Sequence, residues 1–248
     1  MLGGGAILHM KKIFQYNNII TVEKLLRAWE EFLRGKKKRE DVSLFQNRLM
    51  DNVLKLHRDL KEKTYTHGGY VAFKINDPKP RDIHKATVRD RLVHHLLYRE
   101  LYGYFDSKFI YDSYSCRVGK GTHRAINRFR DFGKIVSKNN TRTCWVLKCD
   151  IKKFFASIDH KILKNILARH IDDKDLLELL EDIICSFNTE GKQGVGLPLG
   201  NLTSQLLVNI YMNEFDQYVK RELKVKYYIR YADDFVFLHQ DKKYLGIL

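Results

Sequence analysis

The run YYIRYADDFVFLH, residues 227–239, constrains this chain more than any other stretch. Aromatic and β-branched residues fill it, so it favours strand structure that is at least half buried. Asp233 and Asp234 lie side by side within it. Neighbouring carboxylates repel each other and resist leaving water. A hairpin with both acids at its tip relaxes the alternation and lets them point the same way. A bound divalent cation there would neutralise the repulsion and keep both acids ionised. The plainer alternative is a solvated Asp-Asp turn, and the hydrophobic strands on either side count against it.

Such a site needs a core to hold it. The chain has 248 residues, 44% hydrophobic and 12% aromatic, enough for one or two domains. No apolar run approaches the roughly 20 residues that cross a bilayer. In the opening MLGGGAILHMKK the charge follows a short apolar run instead of preceding it, unlike a signal peptide. Cys116, Cys144, Cys149 and Cys185 form no C-x-x-C pair and match no zinc spacing. They read as reduced core or near-core thiols of a cytoplasmic protein. Net charge is +15, unevenly spread: residues 1–149 carry 31 Lys/Arg against 15 Asp/Glu, and residues 150–248 carry 14 against 15. A basic part for phosphate attraction joined to a neutral part rich in special acids suits a nucleic-acid enzyme. An ordinary basic protein with solvated Lys/Arg faces remains the alternative from charge alone.

The spacing of Val22, Leu25, Leu26, Trp29, Phe32 and Leu33 predicts a helix capped by Thr21, followed by an exposed basic run at Lys36–Arg39. Residues 43–62 repeat the pattern through Leu44, Phe45, Leu49, Val53, Leu56 and Leu60. YVAFKI (70–75) reads as a strand, Asp77-Pro78-Lys79-Pro80 as a turn, and RDIHKA (81–86) as the returning partner. Helices are expected at 88–105, 121–136, 159–170 and 173–187. TCWVLKCDI (143–151) reads as a strand ending at Asp150, and GKQGVGLPLGN (191–201) as a glycine-rich loop before a long helix to about residue 222. The order of strand, helices and terminal hairpin predicts an α+β fold, an antiparallel sheet with helices on one face.

If the strand ending at Asp150 lies beside the hairpin, Asp150, Asp233 and Asp234 converge at one edge of the sheet. Only oxygen ligands are on offer, which suits Mg²⁺ or Mn²⁺ over zinc, and the carbonyl of Ile151 can add another. Two such ions ~4 Å apart clamp the attacking and leaving oxygens of an in-line phosphoryl transfer.

YADD (231–234), DIKKFFASIDH (150–160) and GLPLGNLTSQ (196–205) resemble the three palm motifs of reverse transcriptases, in that family's order and spacing. RDIHKATVRDRLVHH (81–95) resembles the fingers motif of the bacterial, group II intron-like branch. The similarity covers roughly residues 40–240. Within the branch, GNLTSQ resembles the enzymes of diversity-generating retroelements, whereas retron and intron enzymes more often read Gln-Gly in that helix start.

The resemblance implies a right-hand polymerase with an N-terminal helical extension (1–40), basic fingers (41–142) and a palm (143–248) that stops before the thumb. It implies an RNA-directed DNA polymerase using two Mg²⁺ ions, an RNA template, a DNA or RNA primer and dNTPs, with an accessory RNA-binding protein as a further partner. Asp150, Asp233 and Asp234 match its metal-binding triad. Phe155 matches the aromatic under the sugar, where a rigid ring leaves no room for a 2′-hydroxyl; plain core is its other reading, and Phe154 is read as core. Arg81 matches the residue that reaches the triphosphate, since a guanidinium fork suits phosphate oxygens. Lys79, Arg89 and Arg91 read as weaker helpers, the two arginines alternatively as ion pairs around Asp90.

Gly196 and Gly200 are read as letting backbone approach a nucleotide or template, with Pro198 stiffening the turn. Asn201, Thr203, Ser204 and Gln205 open the helix where N–H groups and polar side chains can meet sugar and base, Asn201 alternatively as a plain N-cap. Leu199 stands where many relatives carry a Gln that steadies the nucleotide, so weakened discrimination between right and wrong pairs is expected. Ala156 replaces an Asp common in intron enzymes and leaves Asp150 intact. Two other readings are a catalytically inactive RNA-binding remnant of a truncated gene and an RNA-dependent RNA polymerase, the latter disfavoured by Phe155.

Overall fold

The computed structural model describes residues 14–76 and 80–248. Its elements run α1 (Tyr16–Ile19), α2 (Val22–Phe32), α3 (Glu40–Asn47), α4 (Leu49–Lys61), β1 (Tyr70–Asn76), β2 (Pro80–Ala86), α5 (Val88–Asp106) and α6 (Thr122–Val136). They continue with β3 (Trp145–Cys149), a 3₁₀ turn (Phe154–Ser157), α7 (His160–His170), α8 (Lys174–Cys185), α9 (Leu202–Arg221), β4 (Tyr228–Tyr231), β5 (Asp234–His239) and α10 (Lys242–Leu245). The expected mix of helix and antiparallel strand is observed. Residues 1–13 and 77–79, which include most of the turn expected at Asp77–Pro80, lie outside the described residues.

The chain forms two compact units. One takes the described residues up to Tyr102 together with Ala156–Ser204; the other takes Gly103–Phe155 and Gln205–Leu248. In the first, α2 begins as its sequence dictates, with Thr21 accepting from Lys24 N at 3.3 Å. Its apolar stripe Leu25, Trp29 and Phe32 is buried with Val53, Leu56 and Leu60 of α4. The single helix suggested by residues 43–62 is two, because Arg48 leaves helical geometry at φ −127°, ψ 41°. Leu44 consequently stays exposed instead of joining the core. β1 and β2 pair antiparallel from Tyr70↔Ala86 to Asn76↔Pro80. Asp159 and Asp173 cap α7 and α8, each accepting from a backbone N–H at 2.9 Å.

The entry to α5 rests on Asp90, fully buried. Its carboxylate accepts from Tyr65 Oη (2.8 Å), Gly68 N (3.0 Å) and Thr87 Oγ1 (2.5 Å). His67 stacks between Tyr70 and His94 beside it. Burial pushes the His94 imidazole down to about 3, with His67, His95 and Arg91 adding like charge. Neither nitrogen of His94 has a hydrogen-bond partner among the described residues.

In the second unit, β3, β5 and β4 form a sheet in that order, all antiparallel. Leu147, Cys149, Phe235, Phe237 and Tyr228 share one face and pack on Val219 of α9 and Leu245 of α10. That is the expected layer of helices. α6 adds Phe132 and Val136 against Ile229 and Leu238 on the opposite face. All four cysteines are free, but Cys116 and Cys185 are exposed, so the core reading fails for those two. No described helix is long and apolar enough to cross a membrane.

A histidine held neutral by burial binds its proton more readily once unfolded, so it destabilises the fold as pH drops below 6.5 toward about 3. His94 should therefore contribute a slope of about 1.4 kcal/mol per pH unit across that window. His94→Leu removes a ring without hydrogen bonds and should flatten the stability profile by that amount. Urea denaturation at pH 7.0, 6.0 and 5.0 measures it; an unchanged slope would contradict the burial of His94.

Candidate active site

The sheet of the second unit sets the positions of the acids. β3 pairs with β5 from Trp145↔His239 to Cys149↔Phe235, and β4 pairs with β5 from Tyr228↔Phe237 to Tyr231↔Asp234. Asp150 follows β3 directly, and Asp234 is the first residue of β5, so antiparallel register brings both to the same end of the sheet. Asp233 occupies the two-residue turn with Ala232. Alternation puts Lys148, Val236 and Asp234 on one face. Lys148 Nζ stands 3.3 Å from Asp234 Oδ1, with the two side chains 69% and 48% exposed. A pair that open contributes no more than about 1 kcal/mol and yields easily to a stronger cation.

Asp150 is exposed, and Asp233 and Asp234 are half-buried. Ile151 lies outside any helix or strand, so no ladder claims its carbonyl. Among the described residues, no three His, Cys, Asp or Glu side chains are gathered closely enough to hold a metal ion. Backbone register thus brings the acids to one sheet end, without a preformed cage. In kind the donors fit a hard divalent cation: carboxylate oxygens, water-accessible and free of sulfur or imidazole.

The turn itself is strained and held from behind. Ala232 has φ 55°, a left-handed conformation that costs a non-glycine residue roughly 1–2 kcal/mol. Its carbonyl accepts from Arg230 Nη1 at 3.0 Å. Sequence reasoning missed Arg230. It is the largest fully buried side chain of the described residues. Nε and Nη2 grip the Asp216 carboxylate at 2.7–3.0 Å, Nη2 also donates to Ser113 Oγ (3.0 Å), and Nη1 also donates to Asn209 Oδ1 (3.2 Å). Tyr228 Oη donates to the same carboxylate at 2.7 Å. Burial, then the Asp216 charge, pushes that phenol far above its ordinary value. Breaking one partner of a pair this buried costs about 3–5 kcal/mol. The signal available was an arginine inside an otherwise apolar strand, a place where a charge is tolerated only if paired.

The nucleotide-binding candidates divide between the units. In the second, Phe154 is buried and Phe155 half-buried beside it, rings edge-on at 5.7 Å. Phe155 therefore keeps an accessible face, and the core reading belongs to Phe154. Gln205 is half-buried in α9, its carbonyl accepting from Asn209 Nδ2 at 3.2 Å. In the first unit, Arg81 is exposed near the β1–β2 tip. Lys79 lies outside the described residues.

Arg89 and Arg91 are committed elsewhere. Arg89 binds Asp59 at 2.7 Å and lies over the Tyr65 ring; Arg91 binds Asp41. Arg89 also stands 3.8 Å from Asp90, so both arginines follow the ion-pair reading and not the helper one. Leu199 O accepts from His84 N at 3.0 Å, seating the loop on β2. Gly200 has φ 100°, and a Cβ there would lie 2.7 Å from Ile83 Cγ2; at Gly196 (φ 109°) it would lie 2.2 Å from Thr189 Oγ1. Close approach is thus required by the protein itself. Asn201 does not cap α9 through its side-chain oxygen, which is buried without a partner among the described residues, while its Nδ2 donates to His84 O at 2.8 Å. Thr203 and Ser204 are buried.

Residues 74–247 match the family described as reverse transcriptase (RNA-dependent DNA polymerase). The chain belongs to the reverse transcriptase family. It is 28% identical over 186 residues to the group II intron-encoded protein LtrA of Lactococcus lactis subsp. cremoris, covering 71% of this chain and 29% of that one. It is 32% identical over 133 residues to the retron Ec83 reverse transcriptase of Escherichia coli, covering 50% and 42%. The chain thus spans less than half the length of these curated relatives. Among solved structures it resembles a partial Cas6-RT-Cas1–Cas2 complex with a TM-score of 0.58 at 21% identity, covering 91% of this chain and 38% of that one. This last likeness is one of fold.

Gly200→Ala should destabilise this reverse transcriptase domain by about 1–3 kcal/mol, through its positive φ and the clash with Ile83. Ile83→Leu, which lacks the offending γ2 methyl, should recover the steric part only. A double-mutant cycle in urea checks this; additive effects would show that the loop does not seat on β2.

Proposed function

We propose that this chain is the fingers and palm of an RNA-directed DNA polymerase, in which a primer 3′-hydroxyl attacks the α-phosphate of a dNTP and pyrophosphate leaves. The reading rests on one observation above all: the strand preceding Asp150 pairs with the strand that begins at Asp234, in a chain of the reverse transcriptase family. In this reading residues 41–142 act as fingers and 143–248 as palm, with 1–40 as an N-terminal extension. Template RNA and a DNA or RNA primer are the nucleic-acid partners, drawn by the positive charge upstream of residue 150, and an accessory RNA-binding protein is a further one. The setting is the cytoplasm.

Asp150 and Asp233 are the chief ligands for Mg²⁺, Mn²⁺ serving in its place, with Asp234 and the Ile151 carbonyl in support. When bound, a pair of such ions lowers the pKa of the attacking hydroxyl and stabilises charge on the leaving oxygen. The chain's own residues do the rest. Asp234 exchanges its open pairing with Lys148 for a place in the acidic site. Arg81 offers a fork of donors to the triphosphate. Phe155 presents its accessible face where a 2′-hydroxyl would otherwise fit. Leu199, Gly200 and Gln205 border the base and sugar.

Within the family, we assign the chain to the mutagenic, diversity-generating type. GNLTSQ and the apolar Leu199 support this, because leucine cannot donate the hydrogen bond that would discriminate a correct pair. A catalytically inactive RNA-binding remnant is the second reading, favoured by the absence of a gathered metal cage among the described residues.

Asp233→Asn should abolish primer extension while leaving RNA binding nearly intact, since binding rests on phosphate contacts elsewhere. A gel extension assay beside filter binding decides it: extension near the parent rate would remove Asp233 from the site, and no extension by the parent would favour the remnant.

Phe155→Val should raise ribonucleotide incorporation relative to deoxynucleotide, read as the ratio of kcat/KM for the two sugars. An unchanged ratio would leave Phe155 a packing residue.

Leu199→Gln should lower misincorporation roughly tenfold if one hydrogen bond of ~1.4 kcal/mol is gained. Sequencing the products tests it, and equal error spectra would remove the mutagenic role from this residue.

A further inference from the structure

We infer that Arg230 is a positioning residue for catalysis: its buried guanidinium holds the strained turn that presents Asp233 and Asp234. The inference rests on the polymerase reading and deepens it, by naming what fixes the acids on the side away from the ligand.

A guanidinium has five N–H donors in a rigid plane. Arg230 commits all of them: two to Asp216, and one each to Ser113 Oγ, Asn209 Oδ1 and Ala232 O. These acceptors come from three parts of the unit: α9, the 112–115 segment and the turn itself. Asp216 and Asn209 lie on α9 two turns apart, and Ser113 belongs to the segment that bridges to Arg230 in parallel. That segment adds Arg230 N→Asp112 O at 3.0 Å and Tyr114 N→Arg230 O at 2.9 Å. Asn209 is fixed in turn by donating to Ser115 O at 3.0 Å. The strand residue two before the turn is therefore held by side chain and backbone together.

Of the five bonds, the one to Ala232 O is the one that reaches the turn itself. Ala232 carries the left-handed backbone of the turn, and strained conformations persist only where surroundings over-determine them. The carboxylates that follow it inherit that geometry. Lysine at 230 keeps a charge for Asp216 but, with a single tetrahedral ammonium, cannot span Asp216, Asn209, Ser113 and Ala232 at once.

The test compares Arg230→Lys with the paired replacement Arg230→Met/Asp216→Leu, which removes both buried charges at similar volume. Each is assembled with a dideoxy-terminated primer–template and dNTP, and Mn²⁺ binding is read by electron paramagnetic resonance without turnover. Circular dichroism confirms folding. Folded variants should bind Mn²⁺ about tenfold or more weakly, and need correspondingly more Mg²⁺ for extension, while primer–template affinity stays within about twofold. Adding Ala232→Gly to Arg230→Lys should recover part of the loss, since glycine adopts the turn unaided.

A folded variant with parental Mn²⁺ affinity overturns the role of Arg230. Asp233→Asn serves as the reference: parental Mn²⁺ binding there sinks the metal reading itself, whereas loss there with retention in Arg230→Lys sinks only the positioning role. Hydrogen exchange on the unmutated chain gives an answer that needs no variant. The Asp234 and Phe235 amides should be protected like those of β4, and free exchange there would contradict a clamped turn.

Discussion

The buried pair of Asp216 and Arg230 is the contact on which the second unit turns. A guanidinium with no exposed surface is tolerable only if every donor is matched, and here the matching ties α9, β4 and the 112–115 segment to one point. Around that polar centre the apolar packing is ordinary: Tyr228, Phe235 and Phe237 on one sheet face, Ile229 and Leu238 on the other. The pair sets where β4 ends and how the chain reverses into β5. Everything proposed for Asp233 and Asp234 depends on that reversal.

Asp150 and Asp234 are themselves open to solvent exchange. Asp150 is exposed, and Asp234 meets Lys148 across an open pair. This suits a site whose charge is balanced by ligands that come and go, because carboxylates locked into buried ion pairs could not exchange partners at low cost. In the polymerase reading the work is divided: the backbone fixes the register of the acids, and a bound cation would gather their oxygens.

Much of this was legible in the amino-acid sequence, for identifiable reasons. Thr21 with the stripe Leu25–Trp29–Phe32 is a helix signal that depends on local spacing alone, and β3, β4 and β5 announced themselves through β-branched and aromatic runs. What escaped depends on partners distant in sequence. Arg230 reads as one charge in an apolar strand until Asp216, Asn209 and Ser113 are placed around it. Arg89 and Arg91 read as phosphate ligands until Asp59 and Asp41 take them. Gly196 and Gly200 read as room for a nucleotide, and only packing shows that a Cβ at either would also strike Thr189 or Ile83. The break at Arg48 was invisible because both flanking segments keep a helical period. Resemblance supplied the family; packing alone supplied what holds the hairpin turn.

The most direct test of the central claim is a structure of the chain with primer–template, an incoming dNTP and Mn²⁺, using anomalous scattering to locate the metal. The polymerase reading expects manganese bound by the Asp150 and Asp233 carboxylates, at the sheet end where β3 stops and β5 begins. Manganese bound elsewhere, with those two acids left in water, would contradict it.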